Sequence, residues 1–148
     1  MSITVRGIRH FGFAVRNLER SLAFYERLFG LQPLYTTSSS GPRIDRVMEL
    51  NNTRLKYAAL DLGNTVLELV EYESPYGADM QQRNCDVGAA HAAFVVDDIE
   101  EAYRVLQEVG VQINSPPSTL MQGPNKGSQY CYFRDPDGIQ LEVYQVAT

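Results

Sequence analysis

Disulfides contribute nothing to this chain: its 148 residues include two cysteines, Cys85 and Cys131. Two are too few for a disulfide framework, and they do not form a close pair of the zinc or redox type. Both are read as buried or incidental thiols. No stretch approaches the roughly 18 apolar residues that a membrane span requires. The opening Met1-Ser2-Ile3-Thr4-Val5-Arg6 lacks the apolar core of a secretory signal, so the expected location is cytoplasmic. Positive charge is not in excess either. The formal net charge is -5, which argues against nucleic acid and anionic membrane as partners, because both call for a basic face. The expected partners are a small-molecule substrate and another copy of the chain. Histidine is as scarce as cysteine, and the placement of its two copies gives the first functional lead.

His10 lies in Ile8-Arg9-His10-Phe11-Gly12-Phe13-Ala14-Val15 and His91 in Ala89-Ala90-His91-Ala92-Ala93-Phe94-Val95-Val96. A shift of 81 residues places His10 on His91, Phe13 on Phe94, Leu18 on Ile99 and Glu19 on Glu100. A shift of 74 then places Asp61 on Asp135, Leu67 on Leu141 and Glu68 on Glu142. The same order of matches in both halves points to a duplicated unit, seven residues shorter in the middle of its second copy. The length suits a single domain, since domains usually run about 100 to 150 residues. Within 1–148, module one covers about 6–72, a connection 73–88, and module two about 89–146.

Hydrophobic periodicity gives each module its elements. Ile8 to Val15 reads as a strand, and Leu18 to Phe29 as a helix with Leu18, Leu22, Tyr25 and Phe29 on one face, Asn17 as N-cap and Gly30 as stop. Leu31 to Thr37, Ile44 to Leu50, Leu55 to Leu60 and Thr65 to Tyr72 read as strands, with a loop at Ser38 to Pro42. The plan of the module is β-α-β-β-β. In module two, Ala89 to Val96 is the strand, and Asp98 with Glu101 forms a capping box for a helix that carries Ile99, Ala102, Tyr103 and Leu106 on one face and stops at Gly110. Val111 to Asn114, Gln129 to Phe133 and Ile139 to Val146 follow as strands, the last after a turn at Asp135-Pro136-Asp137-Gly138. The segment Ser115 to Ser128, with three of the seven prolines, is either a functional lid or a surface excursion.

Strand alternation then sorts the polar residues. Successive side chains point to opposite faces, so His10 shares a face with Gly12 and Ala14 while Phe11, Phe13 and Val15 face the helix. His91 shares its face with Ala93 and Val95, and Glu68 and Glu142 are each flanked by apolar residues that point the other way. All four polar residues therefore fall opposite the helix-packing face. A divalent cation would offset the desolvation cost of such carboxylates. Imidazole with carboxylate suits one divalent transition metal, zinc, nickel, cobalt, manganese or iron, and four protein ligands leave an octahedral ion two positions for water or substrate.

The order His10, Glu68, His91, Glu142 on repeated modules, with His91-Ala92-Ala93-Phe94-Val95-Val96-Asp97-Asp98 and Asp135-Pro136-Asp137-Gly138-Ile139-Gln140-Leu141-Glu142, resembles the vicinal oxygen chelate superfamily. That group includes glyoxalase I, methylmalonyl-CoA epimerase, extradiol dioxygenases, and bleomycin- and fosfomycin-resistance proteins. The resemblance, from Arg6 to Val146, implies an α+β fold of two βαβββ modules whose curled mixed sheets enclose a metal-binding cleft, commonly in a homodimer. It also implies a substrate with adjacent oxygens, chelated by the metal acting as a Lewis acid.

Four ligands resemble the proton-transfer branch, in which Glu68 and Glu142 are the candidate bases next to a metal-chelated carbonyl. The expected function is thus a metal-dependent isomerase or lyase of glyoxalase or epimerase type. At the places where glyoxalase I anchors glutathione with arginine, asparagine and arginine, this chain has Ala14, Tyr72 and Val87. One alternative is an Fe(II)-dependent extradiol-type dioxygenase, whose tail pattern is met by Tyr132, Asp135, Pro136, Gly138 and Glu142. The acid-base histidine of those enzymes has no counterpart near Gly123 to Asn125. Another is a non-catalytic small-molecule-binding protein of the bleomycin-resistance kind. Tyr72, Lys126, Tyr130, Tyr132 and Tyr144 are candidate substrate contacts.

Overall fold

Asn17 and Asp98 each stop a strand and start a helix, and the two halves of the chain are built outward from those corners. The computed structural model describes residues 2–79 and 82–147; residues 80 and 81 of the connection 73–88 lie outside it. Internal contacts divide the chain into two units, Met1–Ala78 and Asp79–Thr148, and the fold class is α+β, as expected.

In unit one the elements are β1 (His10–Val15), α1 (Leu18–Phe29), β2 (Pro33–Ser40), α2 (Pro42–Met48), β3 (Arg54–Asp61) and β4 (Val66–Ser74). The sheet runs β1-β4-β3-β2, with β1 parallel to β4 and the other pairs antiparallel. Helix α1 starts where the Asn17 side chain accepts the Arg20 N–H at 2.8 Å, and ends at Gly30, whose φ of 68° needs no Cβ penalty. Its Leu18, Ser21 and Tyr25 are buried. They face the strand side that carries Leu60, Leu67 and Leu69, all fully buried. Each such leucine contributes roughly 1.5–3 kcal/mol through burial.

Two expectations need correcting here. Ile44 to Leu50 is not a strand: residues Pro42–Met48 form the short helix α2, with Pro42 in its first turn and Ile44 buried. Proline suits a helix start because its missing N–H would have no intrahelical partner there. Ser38, Ser39 and Ser40 are not loop but the end of β2, paired with Lys56, Leu55 and Arg54; the ladder supplies what serine lacks in strand preference.

Unit two repeats the plan with β5 (His91–Val95), α3 (Ile99–Val109), β6 (Gln112–Ile113), β7 (Ser118–Thr119), β8 (Gln129–Arg134) and β9 (Gln140–Gln145). Its order is β5-β9-β8-β6, with β7 also on β8 and β5 parallel to β9. Asp98 accepts the N–H groups of Glu100 and Glu101, both at 3.0 Å. Glu101 does not reach back to complete the expected capping box; it pairs with Arg104 at 2.6 Å. The segment Ser115 to Ser128 is partly strand: β7 sits opposite Tyr130 and Gln129, and the Leu120 N–H bonds the Ser128 carbonyl at 2.9 Å. The Asp135 carboxylate accepts from the N–H groups of Asp137 and Ile139, which locks the turn before β9.

One device recurs in both units and ties the closing strand to the helix start. The Glu71 carboxylate accepts the Leu18 N–H at 2.6 Å, and the Gln145 side-chain oxygen accepts the Ile99 N–H at 2.8 Å. Each satisfies one of the unpaired N–H groups at a helix N-terminus.

Candidate metal centre

In unit one, His10 opens β1 and Glu68 lies mid-way along β4, with Gly12 opposite Glu68 on one side and Ala59 on the other. The outward face of β1 is small beyond the imidazole, and Leu67 and Leu69 commit the other face of β4 to the core. The His10 Nε2 lies 3.6 Å from Glu68 Oε2, with side chains 46% and 20% exposed.

Unit two places His91 at the start of β5 and Glu142 on β9, flanked by Ala93 and Tyr132. The His91 Nε2 to Glu142 Oε2 distance is 3.3 Å, and Glu142 is the more enclosed carboxylate, at 8%. Here a third group joins. The Tyr132 hydroxyl stands 3.5 Å from His91 Nε2, and its ring meets the imidazole edge-on at 5.4 Å between centroids. Tyr132 also stands opposite Glu142 across the β8–β9 ladder. Burial raises the Glu142 carboxyl above its ordinary value, against the opposing pull of His91 and Tyr132. Burial and the nearby Glu142 charge likewise raise the Tyr132 phenol.

Two donors bound to one ion at about 2.1 Å lie roughly 3.0–3.4 Å apart, depending on coordination geometry. The unit-two pair, at 3.3 Å, falls inside that span, and the unit-one pair, at 3.6 Å, lies just beyond it. Imidazole nitrogen with carboxylate oxygen is also the donor chemistry of a transition-metal site. Within either unit, among the described residues, no group of three or more His, Cys, Asp or Glu side chains comes together. Each unit presents two of the four expected ligands.

A cavity of about 190 Å³ adjoins the second pair, lined by Asn84, Ala89, Ala90, His91, Tyr132 and Gln140. Of the candidate substrate contacts, Tyr132 lines it and Tyr130 touches the Tyr132 ring, at 5.7 Å between centroids. Tyr144 is half-buried beside Tyr130 on the next strand, and its hydroxyl is buried with no hydrogen-bond partner among the described residues. Tyr72, in unit one, donates its hydroxyl to Met48 Sδ at 3.7 Å. Lys126 is exposed in the turn between β7 and β8 and does not line the cavity. What the sequence reading missed is that Tyr132 contacts the ligand candidates themselves. The signal was strand alternation, which puts Tyr132 on the Glu142 face once the β8–β9 register is known.

Residues 7–143 match the family model of the Glyoxalase/Bleomycin resistance protein/Dioxygenase superfamily. The chain belongs to that superfamily. It is 32% identical over 141 residues to a 2-epi-5-epi-valiolone epimerase from an Actinomyces species, covering 92% of this chain and 77% of that protein. It is 28% identical to the metallothiol transferase FosB of Shouchella clausii, covering 95% of this chain and 80% of that one. Among solved structures, a glyoxalase family protein from Bacillus cereus superposes with a TM-score of 0.82 at 20% identity, covering 99% of this chain and 97% of that one. That last likeness speaks to the fold alone. Relatives in the superfamily include enzymes of different reaction types, so the site has to choose the chemistry.

Proposed function

We propose that this protein is a metal-dependent isomerase or lyase that moves a proton at the carbon next to a carbonyl, with epimerisation the best-supported reaction. The observation that carries the reading is the repeated pair, an imidazole and a carboxylate 3.6 Å apart in unit one and 3.3 Å apart in unit two, at matching strand positions. His10, Glu68, His91 and Glu142 together are the ligand set for one divalent transition metal. The metal, when bound, supplies Lewis-acid polarisation of a carbonyl and its neighbouring oxygen.

The chain's own residues do the rest. Glu68 and Glu142 are the proton-transfer groups, one taking the α-proton and the other returning it, so that the centre inverts. His10 and His91 transfer no proton in this scheme; each presents the Nε2 lone pair to the ion. Tyr132, opposite Glu142 on β8, covers one side of that carboxylate. Tyr72, Tyr130 and Tyr144 are offered as substrate contacts, and the epimerase relative favours a small hydroxylated ketone as substrate.

Incubating the metal-loaded protein in deuterated water with α-hydroxy ketones, cyclic polyhydroxy ketones and acyl thioesters tests the reading. Deuterium enters the α-carbon of at least one class, and chelator abolishes it. No exchange with any class despite bound metal overturns the proposal. Oxygen uptake with catechols and Fe(II) would instead select ring cleavage. Tight binding of a small ligand that survives chelation would select sequestration without chemistry.

A further inference from the structure

The residues that line the cavity beside His91 are not repeated in unit one. Ala89 and Ala90 precede His91, where Ile8 and Arg9 precede His10, so side chains of one carbon leave space that the larger pair would fill. Opposite His91 across the β5–β9 ladder stands Gln140, whereas Val66 stands opposite His10. Gln140 is only 3% exposed, and its amide nitrogen donates to the Phe133 and Leu141 carbonyls, both at 3.2 Å. Both of its N–H groups are thus engaged, and the Asn114 amide approaches its oxygen at 3.5 Å. What Gln140 still offers a ligand is the second lone pair of that oxygen, a fixed acceptor. The opposite wall is a turn closed by Asp86. Its carboxylate accepts the Arg83 backbone N–H at 2.8 Å and pairs with the Arg83 guanidinium at 2.7 Å, and its carbonyl accepts the Ala89 N–H at 3.0 Å. Asn84 lies inside this turn and lines the cavity, and its side-chain amide makes no hydrogen bond among the described residues. That amide brings two donors and an acceptor, and Tyr132 adds a hydroxyl. None of the six lining residues is Lys, Arg, Asp or Glu. A phosphate or carboxylate entering here would lose water without gaining an ion pair.

We propose that this cavity is the subsite for an uncharged, hydroxyl-bearing arm of the substrate, and that Asn84 is its specificity-determining residue, holding a substrate hydroxyl through its free amide. The inference rests on the reading that the His91 and Glu142 pair belongs to the reaction site. At about 190 Å³ the space is smaller than the roughly 300–1,000 Å³ of sites for drug-sized ligands, so it takes a short polyol arm rather than a bulky conjugate.

The test is titration of the nitrogen-15-labelled full chain, loaded with Zn(II), with D-xylulose and with D-xylulose 5-phosphate, two hydroxy ketones that differ only in the charged ester. Side-chain amide resonances are followed by NMR, and α-deuterium incorporation is measured on the same samples. Asn84→Ala is the variant; the position is exposed in a turn, so the fold persists, which an unchanged melting profile verifies. The expected result is a shift of the Asn84 amide with xylulose, a Kd for xylulose raised about 2- to 10-fold in Asn84→Ala, as fits the loss of one neutral hydrogen bond, and binding of the ester weaker than that of the sugar by about tenfold. An Asn84 amide unmoved by xylulose, or an unchanged Kd in Asn84→Ala, overturns the subsite. An ester bound as tightly as the sugar overturns its selectivity for uncharged arms. Xylulose bound at Asn84 without α-deuterium exchange upholds the subsite and counts against the proton-transfer reading instead.

Discussion

Glu68 sits between Gly12 and Ala59, and Glu142 between Ala93 and Tyr132. The two carboxylates occupy matching places on matching strands, each beside a histidine on the neighbouring parallel strand. Their histidines are equally exposed; the carboxylates are not, and Glu142, with Tyr132 opposite it, is the more enclosed. A repeated scaffold therefore decides where these side chains stand, and the neighbours that are not repeated decide how enclosed they are. Duplication supplies the matching histidine–glutamate pairs, and the difference at one opposing position, Ala59 against Tyr132, breaks the symmetry.

The largest effects should come from the carboxylates. Glu68→Gln and Glu142→Gln are each expected to slow α-proton exchange by about 10²–10⁴-fold, the usual weight of a positioned acid or base. The comparison sharpens if Glu142→Gln also weakens metal binding more than Glu68→Gln does, measured by calorimetric titration. Equal losses of affinity would say that the enclosure of Glu142 contributes nothing to its grip.

Next come the cores. Leu67 and Leu141 are repeat-related and both fully buried beneath their helices. Leu67→Ala and Leu141→Ala should each destabilise by about 2–5 kcal/mol in chemical denaturation. A much smaller cost in one unit would show that the two scaffolds are not equivalent in packing.

The helix anchors should differ in a graded way. Glu71 holds the Leu18 N–H and also pairs with Lys56 at 3.3 Å, whereas Gln145 holds the Ile99 N–H as a neutral group. Hydrogen bonds to charged groups contribute about 1.5–3 kcal/mol and neutral ones about 0.5–1.5 kcal/mol. Glu71→Ala is thus expected to cost more than Gln145→Ala in thermal melts, and the reverse order would break the parallel.

The smallest effect is kinetic. Cys85 is exposed, and Cys131 is buried in β8 with its thiol raised by burial and donated to the Ser115 carbonyl at 3.3 Å. A thiol reagent should modify Cys85 promptly and Cys131 only when unit two opens. Prompt modification of both would contradict the packing of β8.

Much of this was legible in the chain because local signals and tertiary structure agree. Asn17 and Gly30 bound α1, Asp98 and Gly110 bound α3, and the alternation of β1 with β4 and of β5 with β9 put each His–Glu pair on one face of its own sheet. Helix α2 was misread although Ile44, Val47 and Met48 follow helical spacing, because a seven-residue segment is too short for period alone to separate helix from strand. The serines of β2 were misread because serine reads as loop, and only pairing with β3 makes it strand. Tyr132 was legible as a cleft residue, but its contact with Glu142 depends on hairpin register, which no single segment encodes.

The central claim is that the two His–Glu pairs serve a single ion. Elemental analysis of the native chain, His10→Ala and His91→Ala, each purified without added metal and verified as folded, tests it most directly. The account predicts about one transition-metal ion per native chain, and loss of that ion in both variants. A folded native chain without metal, or full metal content in either variant, would contradict it.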